Sequence, residues 1–205
     1  MYFSDSKPLW MKFEDYSKLS NTVESAVYAF AMCDKVPDDK TFPCFIEDTF
    51  YIGQSGGLSN NYTMDRKNKD VEKYRYQTVF HQRMKKHSTE FNKTPESESQ
   101  EKKYKMFFEK YGYGEQIYRG DLTGKFLCLC ILVPPKHLSN DIIKTWLLLV
   151  ESEMIYLYHK HYDVQPLMNL AHKSSASVRM LDKNSLSQKE MARVKKQNLF
   201  ELAGS

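Results

Sequence analysis

The run Phe126-Leu127-Cys128-Leu129-Cys130-Ile131-Leu132-Val133 is apolar throughout, and Pro134-Pro135 follows it directly. An apolar run of this length, closed by residues that cannot donate to a ladder, predicts a central strand buried on both faces. Periodicity alone is equally compatible with a buried helical segment. A strand of that kind cannot stand alone. The rest of the chain has to provide neighbouring strands and layers that cover both faces of the sheet.

Two further stretches suit the neighbours. Ser25 to Met32 is apolar and strand-like, with Tyr28 and Phe30 on opposite sides from Val27 and Ala29. Asp34 to Lys40, with Pro37 and two further aspartates, predicts a turn or loop. Phe45 to Ile52 then predicts the antiparallel partner of a hairpin with a long connection. Its end, Tyr51-Ile52-Gly53-Gln54-Ser55-Gly56-Gly57, runs into a glycine-rich turn.

Helices are predicted around this sheet. Residues 6–20 read as an amphipathic helix, with Ser6 as N-cap, Pro8 in the first turn and Leu9, Trp10, Phe13 and Tyr16 on one side. A second helix is predicted from near Val71 to about Ser88. A third opens at Thr94-Pro95 and closes at Gly112, with Tyr104, Phe107, Phe108 and Tyr111 as its core-facing stripe. Ser139 caps a long helix to about His159, and Asn184 to Phe200 reads as a basic helix. The fold class is therefore α+β: a small, mainly antiparallel three-stranded sheet flanked by helices, with N- and C-terminal helical extensions. The organisation predicted is an arm over 1–24, a core over 25–172 with insertions at about 54–75 and 88–112, and a basic helix or tail over 173–205.

The net charge of +4 is small, but its distribution is uneven. From Asp65 to His87 there are eight Lys or Arg against three acids, and from His172 to Asn198 seven against two. Two basic segments in a nearly balanced chain point to a polyanionic partner, with solvated charged faces as the alternative. Cys33, Cys44, Cys128 and Cys130 lack zinc-ribbon spacing and suit reduced thiols in an intracellular, cytoplasmic protein. No apolar run is long enough for a membrane span, and Met1-Tyr2-Phe3-Ser4-Asp5 has no signal-peptide pattern.

Several residues could carry chemistry. Arg83 and His87, four apart, share a helix face; a guanidinium beside an imidazole suits a phosphodiester, with a plain basic surface as the alternative. Glu151 and Glu153 lie in an otherwise apolar helix, where a carboxylate is costly unless paired, protonated or metal-bound; spacing does not choose between them, and one at the helix edge can simply reach water. Tyr28 and Tyr51 lie on strands expected to be neighbours, so their hydroxyls can approach one site, although strand tyrosines also serve as packing residues. Asn169 is a polar residue in the apolar patch Pro166-Leu167-Met168-Asn169-Leu170-Ala171.

Taken in order, this set resembles the GIY-YIG endonuclease family. Ala26-Val27-Tyr28 stands for the first tripeptide and Tyr51-Ile52-Gly53 matches the second. Arg83-Met84-Lys85-Lys86-His87 resembles the family's Arg-x-x-x-His helix. Glu151 followed by Ile155 is similar to its glutamate helix, and Met168-Asn169-Leu170-Ala171 to its closing asparagine motif. The resemblance covers about residues 25–172; it departs at Ala26, where the family has glycine, and in the length between Gly53 and Arg83.

The resemblance implies metal-dependent hydrolysis of DNA by an enzyme of restriction or phage type. Tyr28, Tyr51, Arg83, His87, Glu151 and Asn169 would form the catalytic set, with Glu151 holding Mg2+ (or Mn2+). Tyr28 would activate water with His87 behind it as proton acceptor, and Arg83 would clamp the phosphate. Tyr51 would help position water or phosphate, and Asn169 would bond near the site or hold its shape. Arg66, Lys67, Lys69, Lys85, Lys86, Lys195 and Lys196 would contact DNA phosphates. A homodimer would allow a double-strand cut. The alternatives are a catalytically inactive nucleic-acid-binding module of the same fold, and a nucleotide-phosphate site at Gly53 to Gly57. That loop lacks the Gly-Lys-Ser/Thr ending of the common phosphate-binding loop.

Overall fold

Phe126–Leu132 is a strand with a neighbour on each side in the computed structural model, which describes residues 6–19, 23–56, 79–92 and 102–169. Among the described residues, one antiparallel sheet contains β1 (Leu9–Lys12), β2 (Ala26–Cys33), β3 (Thr49–Ser55) and β4 (Phe126–Leu132), in the order β1-β4-β2-β3. The helices are α1 (Val79–Phe91), α2 (Lys102–Tyr111), α3 (Glu115–Arg119) and α4 (Asn140–Tyr162). The class is α+β, with four strands rather than the three expected.

The fourth strand comes from the amino-terminal arm, where a helix over 6–20 was expected. Leu9–Lys12 pairs with β4 from Leu9 opposite Ile131 to Lys12 opposite Cys128, and Phe13–Leu19 follows as a 3-10 turn. Leu9, Trp10, Phe13 and Tyr16 do fit a helical stripe. However, β4 is apolar on both faces and its outer edge needs a backbone partner, so tertiary pairing overrides local periodicity. Trp10 is buried there, and its Nε1 donates to the Thr41 carbonyl at 2.7 Å.

The second hairpin strand also starts later than expected, at Thr49 instead of Phe45. Pro43–Phe45 forms a 3-10 turn, with the Ile46 N–H donating to the Pro43 carbonyl at 3.1 Å and the Thr49 hydroxyl to the same oxygen at 2.7 Å. Helix α1 runs to Phe91, three residues past the expected end, and α3 is a short helix that was not foreseen. Gly112 closes α2 at a φ of 88°, as glycine allows. The Thr94-Pro95 opening, residues 57–78 and the segment 170–205 with its expected basic helix lie outside the described residues.

Strand β2 separates two cores. Val27, Ala29 and Ala31 face α4, packing with Cys128, Cys130, Leu132, Trp146, Leu147, Val150 and Met154. The small alanines let the long helix lie close to the sheet. On the other face Tyr28, Phe30 and Met32 pack with Phe80, Met84 and Phe91 of α1 and Phe107 and Phe108 of α2. Every residue of β2 is buried. Each fully buried large apolar side chain contributes roughly 1.5–3 kcal/mol, which is what holds α1 and α4 against opposite faces. The four cysteines are buried free thiols, and Cys33, Cys44, Cys128 and Cys130 all belong to the α4 side.

Asp48, one residue before β3, ties α2 to the sheet. It accepts hydrogen bonds from Lys125, from the Tyr111 hydroxyl at 2.5 Å and from Lys110 at 3.1 Å. Burial alone would push its carboxyl up, but these hydrogen bonds outweigh it and hold the group at about 2. An unfolded aspartate titrates near 3.9, so the stabilisation is complete above about pH 4 and is lost as pH falls through about 2. Asp48→Asn is expected to cost about 1–3 kcal/mol at pH 7. It should also remove that share of the acid-induced drop in Tm between pH 4 and pH 2. Thermal melts of both proteins across this range check the slope, and equal slopes would contradict it.

Candidate active site

The aromatic side of β2 and β3 carries the site. Tyr28 on β2 lies opposite Gly53 on β3, and Phe30 lies opposite Tyr51. The register then shifts, because Ala31 lies opposite Thr49 and Phe50 is left over as a bulge. The bulge places two successive side chains on one face. Phe50 is buried among the aromatics with its ring 4.2 Å from that of Phe107, and Tyr51 packs partly buried on the same side. An unbroken strand would have turned Phe50 to the other face.

Gly53 makes room for the neighbouring phenol. A β-carbon there would fall 2.6 Å from Tyr51 Cε1 and 2.6 Å from the Tyr51 hydroxyl. The ring therefore lies across the space that any other residue would fill. Gly53→Ala is expected to displace Tyr51 and to destabilise the protein by about 1–3 kcal/mol, the cost of overpacking. Urea denaturation measures it; an unchanged or raised stability would mean the ring moves aside freely.

Helix α1 supplies the polar groups. Phe80, Met84, His87 and Phe91 form its buried stripe, while Arg83, Lys85 and Lys86 are exposed. The spacing of four puts Arg83 and His87 one turn apart beside β2. Tyr28 Oη stands 2.9 Å from His87 Nε2, and Arg83 Nε donates to the same oxygen at 3.3 Å. Tyr51 is also within hydrogen-bonding reach of Tyr28, and Arg83 of Tyr51. Arg83 has only donors, so the Tyr28 oxygen accepts from it.

Burial divides this group. Tyr28 is 0% exposed and His87 8% exposed, whereas Tyr51 is half-buried and Arg83 is exposed. Burial pushes the Tyr28 hydroxyl well above the ordinary tyrosine value and the nearby Tyr51 pushes it further; Arg83 opposes both without overcoming them. Tyr28 is therefore a neutral phenol at physiological pH. The Arg83 guanidinium is held charged by the two phenol oxygens despite its partial burial.

Asn169 lies at the end of the chain's described part, in the 3-10 turn Leu167–Asn169. Its Nδ2 donates to the Ile52 carbonyl at 2.7 Å, and its Oδ1 accepts from the Ile52 N–H at 2.8 Å. The side-chain amide thus takes the place of a further strand on the open edge of β3. Ile52 follows Tyr51 directly, so Asn169 fixes the backbone that carries the phenol.

Glu151 is half-buried on α4, the helix packed on the other face of the sheet from Tyr28. The charge of Glu153 helps raise the Cys44 thiol, mainly raised by burial to about 12, so Glu153 faces the Pro43–Phe45 turn. Residues two apart on a helix diverge by about 200°, and Glu151 faces elsewhere. Among the described residues no group of three or more His, Cys, Asp or Glu gathers around one point. Glu151 offers a single carboxylate. That donor set suits Mg2+, which keeps most of its waters and takes the remaining oxygens from phosphate.

The structure thus brings Tyr28, Tyr51, Arg83 and His87 together, with Asn169 behind Tyr51, while Glu151 lies on α4, the helix packed against the opposite face of the sheet. Lys85 and Lys86 are exposed on α1. Arg66, Lys67, Lys69, Lys195 and Lys196 lie outside the described residues. Phe30 is a member of the site that the motif reading missed. Its ring centroid lies 4.9 Å from His87, 5.6 Å from Tyr28 and 5.8 Å from Tyr51. Its place two residues after Tyr28, on the same face of one strand, was the available signal. No helix among the described residues is long and apolar enough to cross a membrane. Comparison with protein-family models, with curated proteins and with solved structures finds no match.

Proposed function

We propose that the protein is a metal-dependent DNA endonuclease of the GIY-YIG kind. The observation that carries this reading is the shared Tyr28 hydroxyl, bonded at once to His87 and Arg83 and flanked by Tyr51. A donor-only guanidinium, an imidazole and two phenols around one point suit a phosphodiester: the guanidinium neutralises the charge that builds on phosphorus-bound oxygen, and the imidazole takes a proton. The order hairpin, Arg–His helix, strand and glutamate helix supports the same reading, since it follows the order of the family's motifs. Glu151 would hold Mg2+ or Mn2+, and the ion would supply Lewis-acid charge at the scissile phosphate. Lys85 and Lys86, exposed on the helix that carries Arg83, would steer the backbone of DNA to the site.

The test is cleavage of supercoiled plasmid with Mg2+ by wild type and by Glu151→Ala. Wild type is expected to nick or linearise the plasmid, and Glu151→Ala to lose at least about a hundredfold in rate, as removal of a catalytic metal's ligand does. A Glu151→Ala protein that cuts at the wild-type rate would exclude Glu151 from the reaction.

A further inference from the structure

The site is built in two tiers. The outer tier is Arg83 and Tyr51, both reached by solvent; the inner tier is Tyr28 and His87, enclosed by Phe30, Phe80 and Phe91. Tyr51 keeps its place in the outer tier through features outside the reacting groups. Its register opposite Phe30 puts it on the aromatic side, Gly53 leaves space under its ring, and Asn169 pins the next residue. These devices fix Tyr51, and none of them serves Tyr28, whose place in the fully buried strand β2 is set by packing.

From this tiering, and resting on the nuclease reading above, we infer that Tyr51 is the phenol that meets the attacking water. Tyr28 is then a positioning residue that passes the proton inward to His87. In the chemical step the oxygen of water bonds to phosphorus, and the bond from phosphorus to the departing deoxyribose oxygen breaks. The proton of water moves to the Tyr51 oxygen, that of Tyr51 to Tyr28, and that of Tyr28 to His87 Nε2. The departing oxygen takes a proton from solvent, and His87 later returns its own. Arg83 donates to the Tyr28 oxygen and its charge reaches the Tyr51 phenol, which favours the charge that builds on both. Tyr28 stays a neutral phenol throughout, which suits a relay rather than a stored base. Titratable groups that face His87 among the described residues include Tyr28 from β2 and Tyr51 from β3, with Arg83 one turn earlier on its own helix.

The experiment compares Tyr51→Phe and Tyr28→Phe as full chains in Mg2+-dependent plasmid cleavage, following kcat, KM and the pH–rate profile. Tyr51→Phe is expected to lose about 10²–10⁴ in kcat with KM nearly unchanged, the range for a group in direct proton transfer. Tyr28→Phe and Tyr51→Phe each cut the path to His87, so both are expected to lose the acid limb of the pH–rate profile that wild type keeps. A Tyr28→Phe loss in kcat equal to or larger than that of Tyr51→Phe, or a retained acid limb, overturns the assignment. A second measurement does not depend on turnover: nitration by tetranitromethane, read peptide by peptide, should modify Tyr51 and spare Tyr28 in the folded protein. Nitration of Tyr28 at a rate equal to that of Tyr51 overturns the tiering itself. Wild-type protein that cuts no DNA would overturn the nuclease reading and the relay with it, while the nitration pattern would still decide the tiers.

Discussion

Arg83→Ala is expected to slow Mg2+-dependent plasmid cleavage by about 10²–10³-fold, the usual cost of removing one preorganised donor from a developing oxyanion. Arg83 reaches the Tyr28 oxygen through Nε, so its outer nitrogens remain for phosphate. Removing the side chain takes away a charged hydrogen bond to a buried phenol, and the stability cost should stay within about 1.5–3 kcal/mol. The protein should remain folded. Arg83→Lys restores the charge without the planar fork and is expected to recover only part of the rate. Single-turnover conversion of supercoiled plasmid measures all three, and unchanged cleavage by Arg83→Ala would remove the residue from the mechanism.

Phe30→Ala is expected to be the most damaging change for stability, at about 3–5 kcal/mol. The ring is completely buried and packs edge-on against Phe13, Tyr28, His87 and Phe91 and face-on along Phe50 and Tyr51. Its loss opens a cavity beneath both tiers of the site at once. Phe30→Leu keeps most of the volume and should cost less. Urea denaturation at constant m-value gives the number, and a loss below about 1 kcal/mol would show that the surrounding rings close over the gap.

Which parts of this molecule could be read from its residues follows from where the determining interactions lie. Strands β2 and β4 and helix α4 are long apolar segments whose burial is a property of their own sequence, so they were expected within a few residues of their observed bounds. Tyr28, Tyr51, Arg83 and His87 fall in short local patterns: the hairpin paired the two tyrosines and the helical spacing of four paired Arg83 with His87, but only the family resemblance led one to expect the two pairs at one site. Strand β1 is different. Leu9, Trp10, Phe13 and Tyr16 satisfy a helical period, and only the open edge of β4, more than a hundred residues on, makes Leu9–Lys12 a strand. The late start of β3 follows from the turn at Pro43, and the bulge at Phe50 sits within the strand; neither leaves an alternation pattern. Asn169 was singled out as polar in an apolar patch, but its pairing with Ile52 spans 117 residues and has no local trace. The bonds from Lys110, Tyr111 and Lys125 to Asp48 were missed for the same reason.

The central claim is that the Tyr28, Tyr51, Arg83 and His87 cluster, with a metal at Glu151, hydrolyses DNA. Its most direct test is the conversion of supercoiled plasmid to nicked or linear product by the folded wild-type chain, titrated with Mg2+ and then with Mn2+, with EDTA as control. The account predicts cleavage that rises with divalent metal, stops with EDTA and is lost in Glu151→Ala. DNA left intact by folded protein that still binds it in a salt-sensitive manner would contradict the account and identify a binding module of the same architecture.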